Sequence, residues 1–184
     1  MATQRYVIPD DALQEKAQAV KLLLLDVDGV LSDGKISFTN SGEEIKSFNT
    51  LDGHGIKMLR ASGVEVGIIT GRQSQIVEKR AKDLGIHLLI QGREDKYSAM
   101  TELLETFPCA LENIAFLGDD YPDLSVMTKV GLSMSVANAH TEVSARSHWQ
   151  SQARGGEGAV REACDFIMRA QNTYNAALEP YLGE

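Results

Sequence analysis

Leu22-Leu23-Leu24-Leu25-Asp26-Val27-Asp28-Gly29-Val30 is the stretch that decides the fold. A run of aliphatic residues apolar on both faces predicts a central strand of a parallel sheet, over residues 21–25. The carboxylates that come next are one residue apart, and an extended chain turns Asp26 and Asp28 toward the same side. Two like charges held close are unfavourable unless a cation sits between them or one carboxyl keeps its proton. Asp and Gly are also ordinary turn residues, so the stretch alone reads too as a strand entering a turn.

Working outward, Asp10 can cap a short helix running to Ala19. Residues 35–39 and 44–48 flank Asn40-Ser41-Gly42 and predict a β-hairpin that interrupts the strand-helix rhythm. The rhythm resumes with a helix at 56–62, strand 64–69, helix 74–84, strand 86–90 and helix 96–107. Strand 114–117, helix 124–130 and strand 132–136 complete it. Arg154-Gly155-Gly156-Glu157-Gly158 reads as a flexible stretch before a last helix at 159–177. The prediction is a Rossmann-like α/β fold: a parallel sheet with helices on both faces and a hairpin (35–48) inserted after the first strand. One domain spans 1–184, with a flexible C-terminal tail from about residue 151.

The 184 residues suit a single core. Lys and Arg total 18 against 26 Asp and Glu, a net charge of −8 that disfavours nucleic acid and anionic membranes as partners. An anionic small substrate would then need a local basic site. Cys109 and Cys164 have no metal-ligand spacing and are too few for a disulfide framework, which fits a reducing compartment. No segment approaches the length of a membrane span, and Asp10, Asp11, Glu15 and Lys16 stand where a leader needs its apolar stretch. A soluble cytoplasmic protein is expected. The four histidines, His54, His87, His140 and His148, are too scattered for a zinc site.

In an open parallel sheet, ligands bind at the carboxyl ends of the strands. Those ends carry Asp26 and Asp28, then Thr70-Gly71-Arg72, then Gln91-Gly92 with Lys96 shortly beyond, then Gly118-Asp119-Asp120. Acids from two strands can hold a hard cation, while a hydroxyl, backbone N–H groups near Gly71 and a lysine can hold phosphate oxygens. Each alone is ordinary: a turn, a helix start, a helix cap. Their placement on one edge points to a phosphate site with a metal.

Asp26-Val27-Asp28-Gly29-Val30, Thr70, Lys96 and Gly118-Asp119-Asp120-Tyr121-Pro122-Asp123 resemble the four ordered motifs of the haloacid dehalogenase superfamily of phosphohydrolases. Residues 26–34, Phe48-Asn49, Asp52-Gly53-His54-Gly55-Ile56-Lys57 and 155–162 further resemble its capless branch, the 3-deoxy-D-manno-octulosonate 8-phosphate phosphatases. The resemblance implies Asp26 as nucleophile and Asp28 as general acid and base that also gives a backbone carbonyl to Mg²⁺. It implies Asp119 as a further metal carboxylate, Thr70 and Lys96 as the phosphate-binding hydroxyl and lysine, and Asp123 as the acid that orients the lysine or the metal waters. Asn49, Lys57, Gly71, Arg72 and Arg80 match substrate-contacting positions. It further implies an aspartyl-phosphate intermediate, a role in lipopolysaccharide sugar synthesis and a homotetramer whose subunits close each other's sites; separately, the glycines before Ala159 permit hinge conformations with which that segment could fold over an active site as a lid. A phosphatase of a nine-carbon keto sugar acid stays open as an alternative, as do, more distantly, a phospho-receiver or other non-enzymatic binding module. Against a receiver stands the order of the acids, Asp-x-Asp first and Asp-Asp late.

Overall fold

The computed structural model describes residues 10–183. In chain order the elements are α1 (Asp11–Gln18), β1 (Leu22–Leu25), β2 (Ser37–Phe38), β3 (Glu44–Ile45), α2 (Thr50–Ala61), β4 (Glu65–Ile69), α3 (Gln75–Asp83), β5 (Leu88–Ile90) and α4 (Lys96–Thr106). Next come β6 (Ile114–Gly118), α5 (Tyr121–Met127), β7 (Leu132–Ser135), α6 (Thr141–Ser144), β8 (Trp149–Gln150), α7 (Ala159–Ala170) and α8 (Tyr174–Leu178). The leader reading falls in part on residues 1–9, outside the described residues.

Among the described residues the main sheet has the order β5-β4-β1-β6-β7-β8, every pairing parallel. Leu22 stands level with Glu65 on one side and Ile114 on the other, so β1 is central as its composition predicts. Alternate leucines feed two cores: Leu23 and Leu25 pack with residues of α1, α2, α3 and α7, Leu22 and Leu24 with those of α4, α5 and α6. The chain builds outward from β1 through β4 to β5, then returns to build β6, β7 and β8 on the other side. The strand order therefore reverses beside β1, where an open sheet leaves its ligand crevice.

The hairpin forms, but its ladder is short: Ser37 faces Ile45 and Phe38 faces Glu44. Helix α2 starts at Thr50, six residues before the expected start, because Asn49 caps it by accepting the Leu51 N–H at 2.8 Å. Its two glycines leave room for arginines: a Cβ on Gly53 would sit 2.3 Å from Arg80 Nη2, and one on Gly55 2.8 Å from Arg161 Cδ. Helix α5 likewise starts at Tyr121 rather than 124, on an Asp120 cap. The expected last helix is two, broken where Asn172 takes φ 59°. Strand β8 and helix α6 were not foreseen.

The expectation of a loose tail from about 151 is not met. Gly156 N–H donates to Val30 O at 2.9 Å and Gly155 N–H to Asn138 Oδ1 at 2.9 Å. Helix α7 then buries Val160, Phe166 and Ile167 in the core. At its first turn the Arg161 N–H donates to Asp52 Oδ1 of α2 at 2.8 Å.

Candidate active site

Asp26 directly follows β1, and its N–H still donates to Leu117 O of β6 at 3.1 Å, so strand pairing fixes its backbone. The chain then turns sharply through Gly29 at φ 101°, where a Cβ would lie 2.1 Å from Asp119 Oδ2. Only glycine lets the first acidic loop approach the last. Asp119 follows β6, and Asp123 lies in the first turn of α5. Asp123 Oδ2 accepts the N–H groups of Asp119 at 2.8 Å and Asp120 at 3.1 Å. Asp123 Oδ1 accepts Lys96 Nζ at 2.5 Å. The same Nζ lies 2.8 Å from Asp26 Oδ1, and Lys96 is only 3 % exposed. One buried ammonium thus bridges the first and last acidic motifs.

These contacts shape the charges. Burial, then the Asp123 charge, push the Asp26 carboxyl up to about 6 against the pull of Lys96. Burial works against the Lys96 ammonium, but Asp26 and Asp123 outweigh it and hold the lysine above its ordinary value. Asp119 is half-buried, and that burial, with the charges of Asp26 and Asp123, pushes its carboxyl up to about 8.

Asp26, Asp119 and Asp123 each bring a carboxylate oxygen to within 4.8 Å of the others. Both Asp123 oxygens are already engaged, whereas Asp119 Oδ1 is buried without a partner. A hard cation is what an oxygen-only donor set with an orphaned buried carboxylate oxygen fits. The Asp119 carboxylate and the Asp26 oxygen that does not meet Lys96 could therefore hold it, while Asp123 arranges the lysine and the loop. The Asp28 side chain faces elsewhere. It pairs with Lys46 Nζ through Oδ1 and lies 3.9 Å from Arg72 Nε through Oδ2.

Thr70 directly follows β4, 2 % exposed, with its N–H donating to Ile90 O at 3.0 Å and its Oγ1 accepting the Arg72 N–H at 3.4 Å. A Cβ on Gly71 would meet only Glu94 Cγ at 3.7 Å, so no steric demand makes this position glycine. Arg72 Nη2 reaches Glu44 Oε1 at 3.4 Å. Asn49 lies at the mouth of α2, with Nδ2 donating to Gly156 O at 3.4 Å and its own carbonyl accepting Arg80 Nη2 at 3.1 Å. Arg80 also stands 5.6 Å from the Phe48 ring centroid, and its Nε is buried without a partner.

The chain does not bring Lys57 to this cluster. It is exposed about two helical turns beyond Asn49 and lines a groove with Thr173, Ala177 and Tyr181. Conversely, sequence reasoning missed Lys46 and Glu44, which the hairpin lays against the first two motifs. Ser74 Oγ donates to Glu44 Oε2 at 2.6 Å. The available signal was alternation: Glu44 and Lys46 share one side of the strand while Ile45, 52 % exposed, takes the other.

Residues 89–162 match the haloacid dehalogenase-like hydrolase family. The 3-deoxy-D-manno-octulosonate 8-phosphate phosphatase KdsC of Yersinia pestis is 48% identical over 170 residues, 92% of this chain and 90% of that protein. Its crystal structure superposes with a TM-score of 0.88 at 47% identity, covering 90% of this chain and 89% of the other. The corresponding enzyme of Moraxella catarrhalis, crystallised with a magnesium ion, a phosphate ion and KDO, is 41% identical with a TM-score of 0.90, covering 92% of this chain and 97% of that one. Similarity of this extent across nearly the whole chain shows that the protein belongs to the 3-deoxy-D-manno-octulosonate 8-phosphate phosphatase family of haloacid dehalogenase-like hydrolases.

Proposed function

We infer that this chain is a magnesium-dependent phosphomonoesterase that converts 3-deoxy-D-manno-octulosonate 8-phosphate to the free sugar acid and phosphate. The observation that carries the reading is the Lys96 ammonium shared by Asp26 and Asp123 beside the unpartnered Asp119 oxygen. That arrangement offers a nucleophile, a fixed cation and an oxygen donor for a second one.

In this reading Asp26 attacks phosphorus, and the bond between phosphorus and the sugar oxygen breaks as an aspartyl-phosphate forms. Asp28 gives its proton to the departing sugar oxygen, then takes one from the water that cleaves the acyl-phosphate. Lys96 and the Thr70 hydroxyl hold the equatorial phosphate oxygens, with backbone N–H groups near Gly71 beside them. The carboxylates of Asp26 and Asp119 and the carbonyl of Asp28 would hold magnesium, whose charge, when it is bound, would offset the repulsion between an anionic nucleophile and an anionic phosphate. Asp123 keeps Lys96 and the Asp119 backbone in place. Arg72, Arg80 and Asn49 face the sugar acid.

No helix among the described residues is long and apolar enough to cross a membrane. A cytoplasmic setting, supported by the free Cys109 and Cys164, is part of the same reading. So is a single catalytic domain assembled as a homotetramer. The hairpin exposes Ile36, Phe38 and Ile45, each more than half accessible, on a two-stranded ribbon that buries little by itself.

Phosphate release from the octulosonate 8-phosphate, a nine-carbon analogue and common hexose phosphates, each with Mg²⁺ and after chelation, tests the function. Strong metal-dependent preference for the octulosonate is expected. Equal slow hydrolysis of all would remove the named substrate, and no release would remove the phosphatase. Light scattering of the native chain beside Phe38→Ser tests the assembly: a tetramer that the substitution dissociates is expected, and a native monomer would end the proposal.

A further inference from the structure

Lys46 lies on an exposed two-stranded ribbon, yet its side chain is only 2 % exposed. Burying an ammonium is costly unless it is paired, and an unconstrained lysine on such a ribbon extends into water. The partners here are Asp28, whose Oδ1 takes the Lys46 Nζ, and Glu44, whose Oε1 lies 3.8 Å from it. Glu44 is itself fixed by Ser74 Oγ at 2.6 Å and Arg72 Nη2 at 3.4 Å, both from the loop after β4. A chain of contacts therefore runs from the second motif through the hairpin to one oxygen of Asp28. The other oxygen, Oδ2, has Arg72 Nε at 3.9 Å, beyond hydrogen-bond reach.

We propose that Lys46 is a positioning residue for proton transfer: it holds Asp28 Oδ1 so that Oδ2 faces the departing sugar oxygen, with Glu44 fixing the lysine. The inference rests on the reading of Asp28 as general acid and base. It gives the hairpin a part in the chemistry of its own subunit, separate from any part in assembly. A carboxyl free to rotate spends much of its time misdirected, and that loss of orientation falls on the step that needs the proton.

The test compares leaving groups. A sugar alkoxide needs a proton as it departs, whereas 4-nitrophenolate does not. Because Asp28 also serves as base in the second step, which both substrates share, the rate read is that of the first turnover at saturating substrate: Lys46→Met is expected to slow release of the sugar by about tenfold or more, and to leave first-turnover release of 4-nitrophenolate within about twofold. Lys46→Arg should recover most of the loss. Equal losses on both substrates, or none on either, would overturn the proposal. Glu44→Gln keeps Lys46 but removes one of its charged partners, and it carries the same expectation and the same overturning results should Lys46→Met not fold. Asp28→Asn run beside them separates the two levels. In first-turnover rates, a selective loss there without one in the Lys46 variants refutes only the positioning role; an unselective first-turnover loss there refutes the reading of Asp28 as general acid.

Discussion

The Lys96 ammonium lies 2.5 Å from Asp123 Oδ1, joining the first turn of α4 to the first turn of α5 beneath the nucleophile. Removing it leaves two buried acids without their shared cation. Lys96→Met should lower kcat by at least about a hundredfold through lost charge stabilisation. It should also destabilise the fold by about 3–5 kcal/mol, the usual cost of breaking a buried pair from one side. The destabilisation should shrink toward acid pH, where Asp26 takes a proton instead. Denaturant melts at several pH values beside steady-state kinetics check both halves; a variant as stable and active as the wild type would return Lys96 to an ordinary helix start.

Asp119 makes metal-free stability depend on pH. Its carboxyl is raised from 3.8 to about 8, so between those values the folded chain keeps a proton that the unfolded chain has released. Stability therefore falls as pH rises through that window, and the penalty is complete above it. In chelator, Tm should be higher near about pH 7 than near about pH 9. Saturating Mg²⁺ should narrow the difference, and calorimetry near pH 7 in buffers of different ionisation heat should detect proton release on binding. Metal binding with no proton released would contradict the assignment of Asp119 as a ligand.

Asp119→Asn separates stability from activity. It removes the carboxylate repelled by Asp26 and Asp123, so the metal-free variant should melt higher than the metal-free wild type at about pH 9. The same change should remove magnesium dependence and most of the turnover. Thermal melts in chelator and phosphate release with added Mg²⁺ are the two measurements.

Gly155 admits no side chain: a Cβ there would stand 1.6 Å from Gly29 O and 3.1 Å from Val30 N. Gly155→Ala must push the Gly-rich segment off the first acidic loop. We expect a loss of about 1–3 kcal/mol in stability, typical of overpacking. A larger relative loss in kcat should accompany it, because the displaced loop carries Asp28. Chemical denaturation and kinetics on one preparation would show both.

Truncations distinguish core from appendage. Removing residues 152–184 deletes α7 with buried Phe166, Ile167 and Met168, and should abolish cooperative melting. Removing 174–184 takes only α8 and the residues after it, none of them fully buried among the described residues, and should keep a cooperative transition. A folded 1–151 fragment would refute the account of α7.

The parallel sheet and the strand-end acids are legible in the sequence because β1, β4 and β6 are almost wholly apolar and their chemistry starts where the apolar run stops. Other features depend on contacts distant in sequence. The first turn of α2 hides behind Asp52-Gly53-His54-Gly55, which reads as a loop until Arg80 and Arg161 are seen to need the space. The loop at 154–158 looks free because its partners, Val30 and Asn138, are remote along the chain. Lys46 looks like any hairpin lysine until the ribbon folds back on Asp28.

The grip of Arg161 N–H on Asp52 and the packing of α7 against α2 set an order on the protein's birth. Every side chain of the lysine-acid cluster, ending at Asp123, emerges from the ribosome before the segment that closes over the first acidic loop. A nascent chain halted between Asp123 and Ala159 therefore carries the whole chemical complement while the apolar face of α2 stays uncovered. Such a product has every group of the chemistry and no cover for its core, so catalysis waits on a helix that adds nothing to the reaction.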